Sequence, residues 1–180
     1  MKFRHAFTLV ELLVVIAIIG LLSTIAIVSL TSARSKARDT KRLADIHQIT
    51  TAMQLYRQDN GNYPDPGALG CTGGSTAYYC LGHGDGGSCW PGIPYHGCTA
   101  LDNAMSPYIA KIPDDPENNT SYWGDAYVYL YSGSNSGVVA PFIHWGMDQQ
   151  TNSTICNGGV AGQWGAPGRN RWYCLTALPL

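Results

Sequence analysis

Residues 7 to 30 run Phe-Thr-Leu-Val-Glu-Leu-Leu-Val-Val-Ile-Ala-Ile-Ile-Gly-Leu-Leu and on to Leu30, 24 residues whose single charge is Glu11. As a helix at ~1.5 Å per residue such a run reaches ~36 Å, enough to cross a hydrocarbon core of ~30 Å. A helix apolar on every side needs lipid or other apolar helices around it. No proline interrupts the chain before Pro64, and beyond Leu30 the apolar residues Leu43, Ile46, Ile49, Met53 and Tyr56 recur at three- and four-residue steps. That stripe is helical. The pattern predicts one continuous helix from about Phe7 to about Asp59, ~80 Å long, stopped by Asn60-Gly61-Asn62 and kept from resuming by Pro64. Its second half presents a core-facing stripe and a charged flank of Arg38, Asp39, Arg42 and Asp45.

With 180 residues, the chain has room for one globular body and not comfortably for two. Charge is divided along it. Arg34, Lys36, Arg38, Lys41 and Arg42 crowd one stretch whose only acid is Asp39, a net charge of +4. From residue 60 onward Lys111, Arg169 and Arg171 face eight acidic residues, a net charge of −5. The stem is basic and the body acidic. All six cysteines, Cys71, Cys80, Cys89, Cys98, Cys156 and Cys174, lie in that body without a C-x-x-C pair. This suits disulfides better than zinc and places the body in an oxidising compartment outside the cytosol.

Residues 60 to 125 are rich in Gly, Pro, Cys and Tyr, predicting a long irregular loop with one short helix near Ala100 to Ala110. Ala126 to Tyr131 reads as a strand, Ser132 to Gly137 as a turn and Val138 to Trp145 as the returning strand of a hairpin, with a third strand at Arg171 to Ala177. Tyr127, Tyr129 and Tyr131 share one face of the first strand, either as aromatic packing beneath the loop or as an adhesive surface for glycans or other cells.

Before the apolar run stand only Met1-Lys2-Phe3-Arg4-His5-Ala6, too short for a cleavage site that follows the apolar region. Ala6-Phe7-Thr8-Leu9-Val10-Glu11 resembles the processing site of type IV prepilins and type II secretion pseudopilins. The resemblance implies cleavage by a prepilin peptidase after Ala6, where the family more commonly has Gly, and methylation of Phe7 as the new N-terminus. It gives Glu11 an assembly role: meeting the N-terminal amine of an adjacent subunit as the helices bundle, neutralising both charges and setting the axial register. The residues themselves also allow Glu11 to lie near the membrane surface, interacting with the helix dipole and water.

The likeness extends to Ala44 to Tyr56 with Asp59-Asn60-Gly61-Asn62-Tyr63-Pro64, similar to the helix end of many pilins and major pseudopilins. It reaches Pro107-Tyr108-Ile109 and Lys111-Ile112-Pro113-Asp114-Asp115-Pro116, similar to their loop before the sheet. It implies that Cys156 and Cys174 form the C-terminal disulfide of many major pilins, while Cys71, Cys80, Cys89 and Cys98 stay unassigned. It also implies no cofactor, with calcium the exception to consider: major pseudopilins bind it near their sheet, and Asp114, Asp115, Glu117 and Asn118 offer oxygen ligands here, without EF-hand spacing. Departures are the absence of a helix-breaking Pro near Val28 and the cysteine-rich insert from Cys71 to Cys98.

Competing chemistries find little support. Gly84 to Ser88 lacks the order of a nucleophile elbow, and no P-loop occurs, so the chain reads as no enzyme. His83, His96 and His144 lack metal-binding spacing. An acidic body disfavours nucleic acid. Counting basic residues alone would put the body in the cytoplasm, since five follow the apolar helix and only Lys2 and Arg4 precede it; the cysteines and the leader both place it outside.

The expectation is an α+β pilin fold divided as leader 1–6, membrane or filament-core helix half 7–30, amphipathic half 31–59, and head 60–180 with a cysteine-rich loop and an antiparallel sheet. The resemblance implies a homo-polymer of pilin subunits, stored in the cytoplasmic membrane with its N-terminus inside. A separate assembly ATPase would then extract it into a filament. The cysteine-rich, aromatic body leans toward an adhesive or motility-related surface pilus; a type II secretion pseudopilin is the alternative. A third reading, from another class, is a secreted or membrane-anchored disulfide-rich binding domain cut by signal peptidase after Ala26 or Ala33.

Overall fold

The computed structural model describes residues 8–85, 96–117, 126–148, 155–156, 159–166 and 169–179. In chain order the elements are α1 (Leu9–Asn60), a single 3-10 turn (Gly74–Thr76), β1 (Tyr78–Cys80), β2 (His96–Gly97), α2 (Thr99–Met105), β3 (Val128–Leu130), β4 (Ser134–Asn135), β5 (Val138–Val139), β6 (Phe142–Met147), β7 (Val160–Ala166) and β8 (Arg169–Ala177). This is the expected α+β arrangement of one long N-terminal helix with a mainly antiparallel sheet. Two units make up the chain, one ending at Ala37 and one beginning at Arg38.

The 52 residues of α1 run without interruption. Its end follows from the residues there: the Gly61 amide donates to the Arg57 carbonyl at 2.8 Å with Gly61 at φ 80°, the left-handed conformation that glycine adopts without a Cβ penalty. In the N-terminal unit the hydroxyls of Ser23, Thr24 and Thr31 donate to the carbonyls of Ile19, Leu21 and Val28, so these three polar groups are satisfied by their own helix. Around them Leu9, Ile16, Ile25 and Val28 are 60–77% exposed.

In the head, Ile46, Ile49, Ala52 and Met53 of α1 pack in one cluster with Leu101 and Met105 of α2 and with Tyr79, Tyr129, Ile143, Trp145, Met147 and Cys174 of the sheet. The six strands lie in the order β2-β1-β3-β6-β8-β7. The predicted hairpin is present, with β3 antiparallel to β6 and Val128 opposite His144, and the predicted third strand is β8. Between the hairpin arms β4 and β5 form their own two-stranded turn. Its central residues Ser136 and Gly137 both have positive φ, 49° and 82°, the signature of a tight hairpin turn.

Strands β1, β2 and β7 have no counterpart in the sequence reading. Two of them are only two or three residues long, and Val160–Ala166 carries glycine at positions 162 and 165, which weakens any strand signal. All six residues of β6 are buried, because the other sheet face is also covered: Leu130, Val138, Phe142 and Leu175 form a second small cluster with Tyr78 and Tyr173 against it. A strand buried on both faces loses the alternation that would reveal its orientation.

His144 sits on this second face, 2% exposed, with its ring edge-on to Tyr173 at 5.4 Å. Burial pushes its pKa from the ordinary 6.5 down to about 4. The unfolded chain therefore takes up a proton that the folded chain refuses. The associated stability is complete above pH 6.5 and is lost as pH falls toward 4, at roughly 1.4 kcal/mol per pH unit. A His144→Gln variant should show a shallower fall of thermal midpoint between pH 6.5 and 4 than the native chain; parallel curves would contradict this.

Candidate assembly site

Thr8 stands directly before α1, and its carbonyl accepts from the Leu12 amide at 3.3 Å. Its hydroxyl accepts from the Glu11 amide at 3.3 Å and donates to Glu11 Oε2 at 2.7 Å, while Oε2 also accepts from the Thr8 amide at 2.8 Å. The exchange is a capping box, which satisfies amides that the first helical turn leaves without intrahelical partners. Reading for charge alone singles out Glu11 and misses Thr8, although the Thr-x-x-Glu spacing announces the motif. Both bonds that Glu11 accepts from Thr8 fall on Oε2, and an ionised carboxylate has about four acceptor positions. The capped Glu11 is exposed and can accept a further donor from another chain. Ala6 and Phe7, the expected processing and methylation residues, lie outside the described residues.

The charged flank of α1 lies largely in the interior of the head. Asp39, Arg42 and Asp45 are all at most 5% exposed. Arg42 Nε and Nη2 donate to the two oxygens of Asp115 at 2.7 and 3.0 Å, and Nη1 donates to Asp39 Oδ1 at 2.9 Å and reaches Asp148 Oδ1 at 3.1 Å. Arg38 Nε donates to Asp148 Oδ2 at 2.5 Å. The Tyr127 hydroxyl donates to Asp45 at 2.7 Å. Burial disfavours the Arg42 charge, but the hydrogen bond and charge of Asp115 and the charge of Asp148 outweigh it and hold the guanidinium's pKa above its usual range. Partners 73 and 106 residues downstream are invisible to periodicity.

The tyrosine stripe resolves toward packing. Tyr127 and Tyr129 are at most 1% exposed, and their hydroxyls donate to Asp45 and to the Pro64 carbonyl. Burial, reinforced by neighbouring acidic groups, raises both phenol pKa values. They form no adhesive surface.

Residues 1–27 match the family described as the prokaryotic N-terminal methylation motif. The type II secretion system core protein G of Klebsiella michiganensis is 36% identical over 135 residues, covering 75% of this chain and 79% of that protein. The chain belongs to the pilin and pseudopilin family. The core protein G of Vibrio cholerae is 27% identical over 140 residues, covering 77% of this chain and 78% of its own. A type IV wide pilus major component of Thermus thermophilus is 40% identical over 63 residues, 35% of this chain and 48% of that protein. No solved structure matches.

This pilin-family chain is a filament subunit whose apolar α1 is long enough to cross a membrane, which fits membrane anchorage before assembly. Of its cysteines, Cys156 and Cys174 are bridged, as the resemblance implied. Cys71 pairs with Cys98, a pairing that spacing left open, and Cys80 is also disulfide-bonded. Cys89 lies outside the described residues, as does Ser88 of the glycine-rich loop. Beside that loop Asp102 accepts from the amides of Gly82 and Gly84, and Asp85 and Thr99 exchange amide and side-chain bonds at the start of α2. Among the described residues no three His, Cys, Asp or Glu side chains are grouped to hold a metal ion.

Proposed function

We propose that this chain is a structural, non-catalytic subunit of a type II secretion pseudopilus. The observation that carries the choice is where the similarity falls. Likeness to core protein G extends over three quarters of both chains and so includes the head, whereas the pilus component is matched over less than half its length. Burial of Tyr127 and Tyr129 removes one argument for an adhesive pilus.

In this reading a prepilin peptidase cuts after Ala6 and methylates Phe7. The subunit waits in the cytoplasmic membrane with its N-terminus inside and the disulfide-bonded head outside, and a separate ATPase drives polymerisation with other copies. The exposed apolar side chains of α1 from Leu9 to Leu30 exchange lipid for neighbouring helices.

Deleting the gene is expected to abolish export of secreted enzymes while leaving surface pili on intact cells, as counted by electron microscopy. Loss of pili with secretion intact would favour the surface-pilus reading. N-terminal sequencing of the mature protein should begin at methylated Phe7; a start at Ile27 or Arg34 would refute the pilin processing altogether.

A further inference from the structure

The cysteine-rich insert joins its ends rather than its neighbours. Cys71 is bridged to Cys98 with a sequence separation of 27, and Cys80, which lies between them, is disulfide-bonded elsewhere. In the sequence Cys71, Cys80, Cys89 and Cys98 stand nine residues apart. The unfolded chain can therefore close Cys71–Cys80 and Cys89–Cys98 through loops one third as long as the Cys71–Cys98 loop. Loop closure becomes rarer roughly as the three-halves power of length, so Cys71 meets Cys80 about five times as often as it meets Cys98. Order of export favours the same partner. In the proposed topology, on which this inference rests, the head crosses the membrane from α1 onward, and Cys80 follows Cys71 well before Cys98 does.

The folded head has no place for the short bridge. Tyr79 and Leu81 lie in the core cluster with Cys71 and Cys98, and successive side chains of a strand point to opposite faces, so β1 turns Cys80 away from Cys71. The Tyr79 hydroxyl secures this arrangement by donating to the carbonyls of Thr72 and Gly74 at 3.1 and 2.8 Å. β1 is held mainly by β3, with Tyr79 opposite Tyr129 and Cys80 opposite Val128, residues that follow the whole insert. Its pairing with β2 spans two residues, too few to persist alone. Cys71, Cys80 and Cys98 are at most 8% exposed once packed, so their bridges must be settled before the core closes.

We propose that the exported head first closes Cys71–Cys80 and reaches its native pairing through thiol–disulfide exchange, which makes it a substrate of an exported dithiol isomerase. Each first bridge forms by passing two electrons and two protons to an exported disulfide donor. The exchange that follows is redox-neutral. A thiolate of the isomerase attacks the Cys71 sulfur, forms a mixed disulfide there and releases the Cys80 thiolate. That thiolate displaces Cys98 from its short bridge to Cys89. The Cys98 thiolate then attacks Cys71, closes Cys71–Cys98 and returns the isomerase thiolate.

The test is oxidative refolding of the reduced full-length chain in detergent, once with an oxidant that leaves no free thiol and once in a couple of reduced and oxidised glutathione. Bridges are mapped by mass spectrometry of non-reduced chymotryptic peptides, since cleavage after Tyr78 or Tyr79 separates Cys71 from Cys80. Without exchange, Cys71–Cys80 should exceed Cys71–Cys98 by about fivefold; in the glutathione couple Cys71–Cys98 should dominate. The doubly substituted Cys80→Ser, Cys89→Ser chain, which lacks the competing partners, should form Cys71–Cys98 under both conditions. Protein recovered from cells that lack their exported isomerase should carry Cys71–Cys80. Native pairing without exchange, or native pairing in those cells, would overturn the proposal. So would a serine chain that fails to form Cys71–Cys98, since competition from Cys80 would not then be the obstacle. Fully reduced cysteines in protein from normal cells would overturn it by a separate route, by showing that the head is not exported.

Discussion

Replacing Glu11 with valine is expected to abolish filament formation while leaving the chain in the membrane. Valine extends the apolar run that precedes and follows it, so insertion is if anything favoured. What is lost is the one negative charge of that run, which in the proposed assembly meets a neighbour's N-terminal amine in a medium where neither charge is tolerated alone. The capping box introduces a second explanation that must be separated from the first, because Glu11→Val also removes the bonds between Glu11 and Thr8. Glutamine distinguishes them: it can still accept from the Thr8 amide, as glutamine does in capping boxes, but it carries no charge. Membrane fractionation should recover all three proteins in the membrane. Sheared filament yield should fall by on the order of tenfold or more for both Glu11→Val and Glu11→Gln, as expected when an intramembrane charge loses its partner. Normal filaments from Glu11→Gln would show that the helix cap, not the charge, is what assembly requires, and normal filaments from both would remove Glu11 from assembly.

Removing the Cys156–Cys174 bridge, which ties a turn to strand β8, should produce a large loss of stability. Both cysteines are 0% exposed, and their Cα atoms lie 5.3 Å apart with a sequence separation of 18. Closing a loop of that length restricts the unfolded chain by about 3 kcal/mol in the chain-entropy account. The bridge also belongs to the packing. Cys174 lies opposite Trp145 on one neighbouring strand and Ala161 on the other, and the Cys156 carbonyl accepts from the Thr176 hydroxyl at 3.4 Å. The double Cys156→Ala, Cys174→Ala variant should therefore unfold on the order of 10 °C below the native chain. Each single variant should be no more stable than the double, since it leaves one buried thiol unpaired. A double variant within about 1–2 °C of the native midpoint, on the order of a few tenths of a kcal/mol, would mean that the sheet holds this turn without covalent help.

Legibility in the sequence followed the range of the interactions involved. The helix and its stop at Asn60-Gly61 depend on local spacing and local backbone preference, and the structure places the helix end within one residue of expectation. Tyr129 and Trp145 were readable as strand residues, but β1 and β2 were not, because three- and two-residue strands exist only through the partners they pair with. Thr8 was legible in principle from its spacing to Glu11. Arg42 was not. A basic residue flanked by Lys41, Arg38 and Asp39 reads only as part of a charged flank, and the fold alone carries Asp115 and Asp148 to its guanidinium.

By itself the sequence determined the long helix, its apolar first half, the leader that resembles a prepilin and the oxidised character of the head. These rest on covalent order and on periods of a few residues, which a one-dimensional reading contains. Tertiary structure alone decided that Cys71 pairs with Cys98, that Tyr127 and Tyr129 are core rather than surface, and that the flank of α1 is an interior ion-pair network. Each is a choice among partners distant in the chain, settled by which groups the packed sheet and loop bring within bonding distance and away from water.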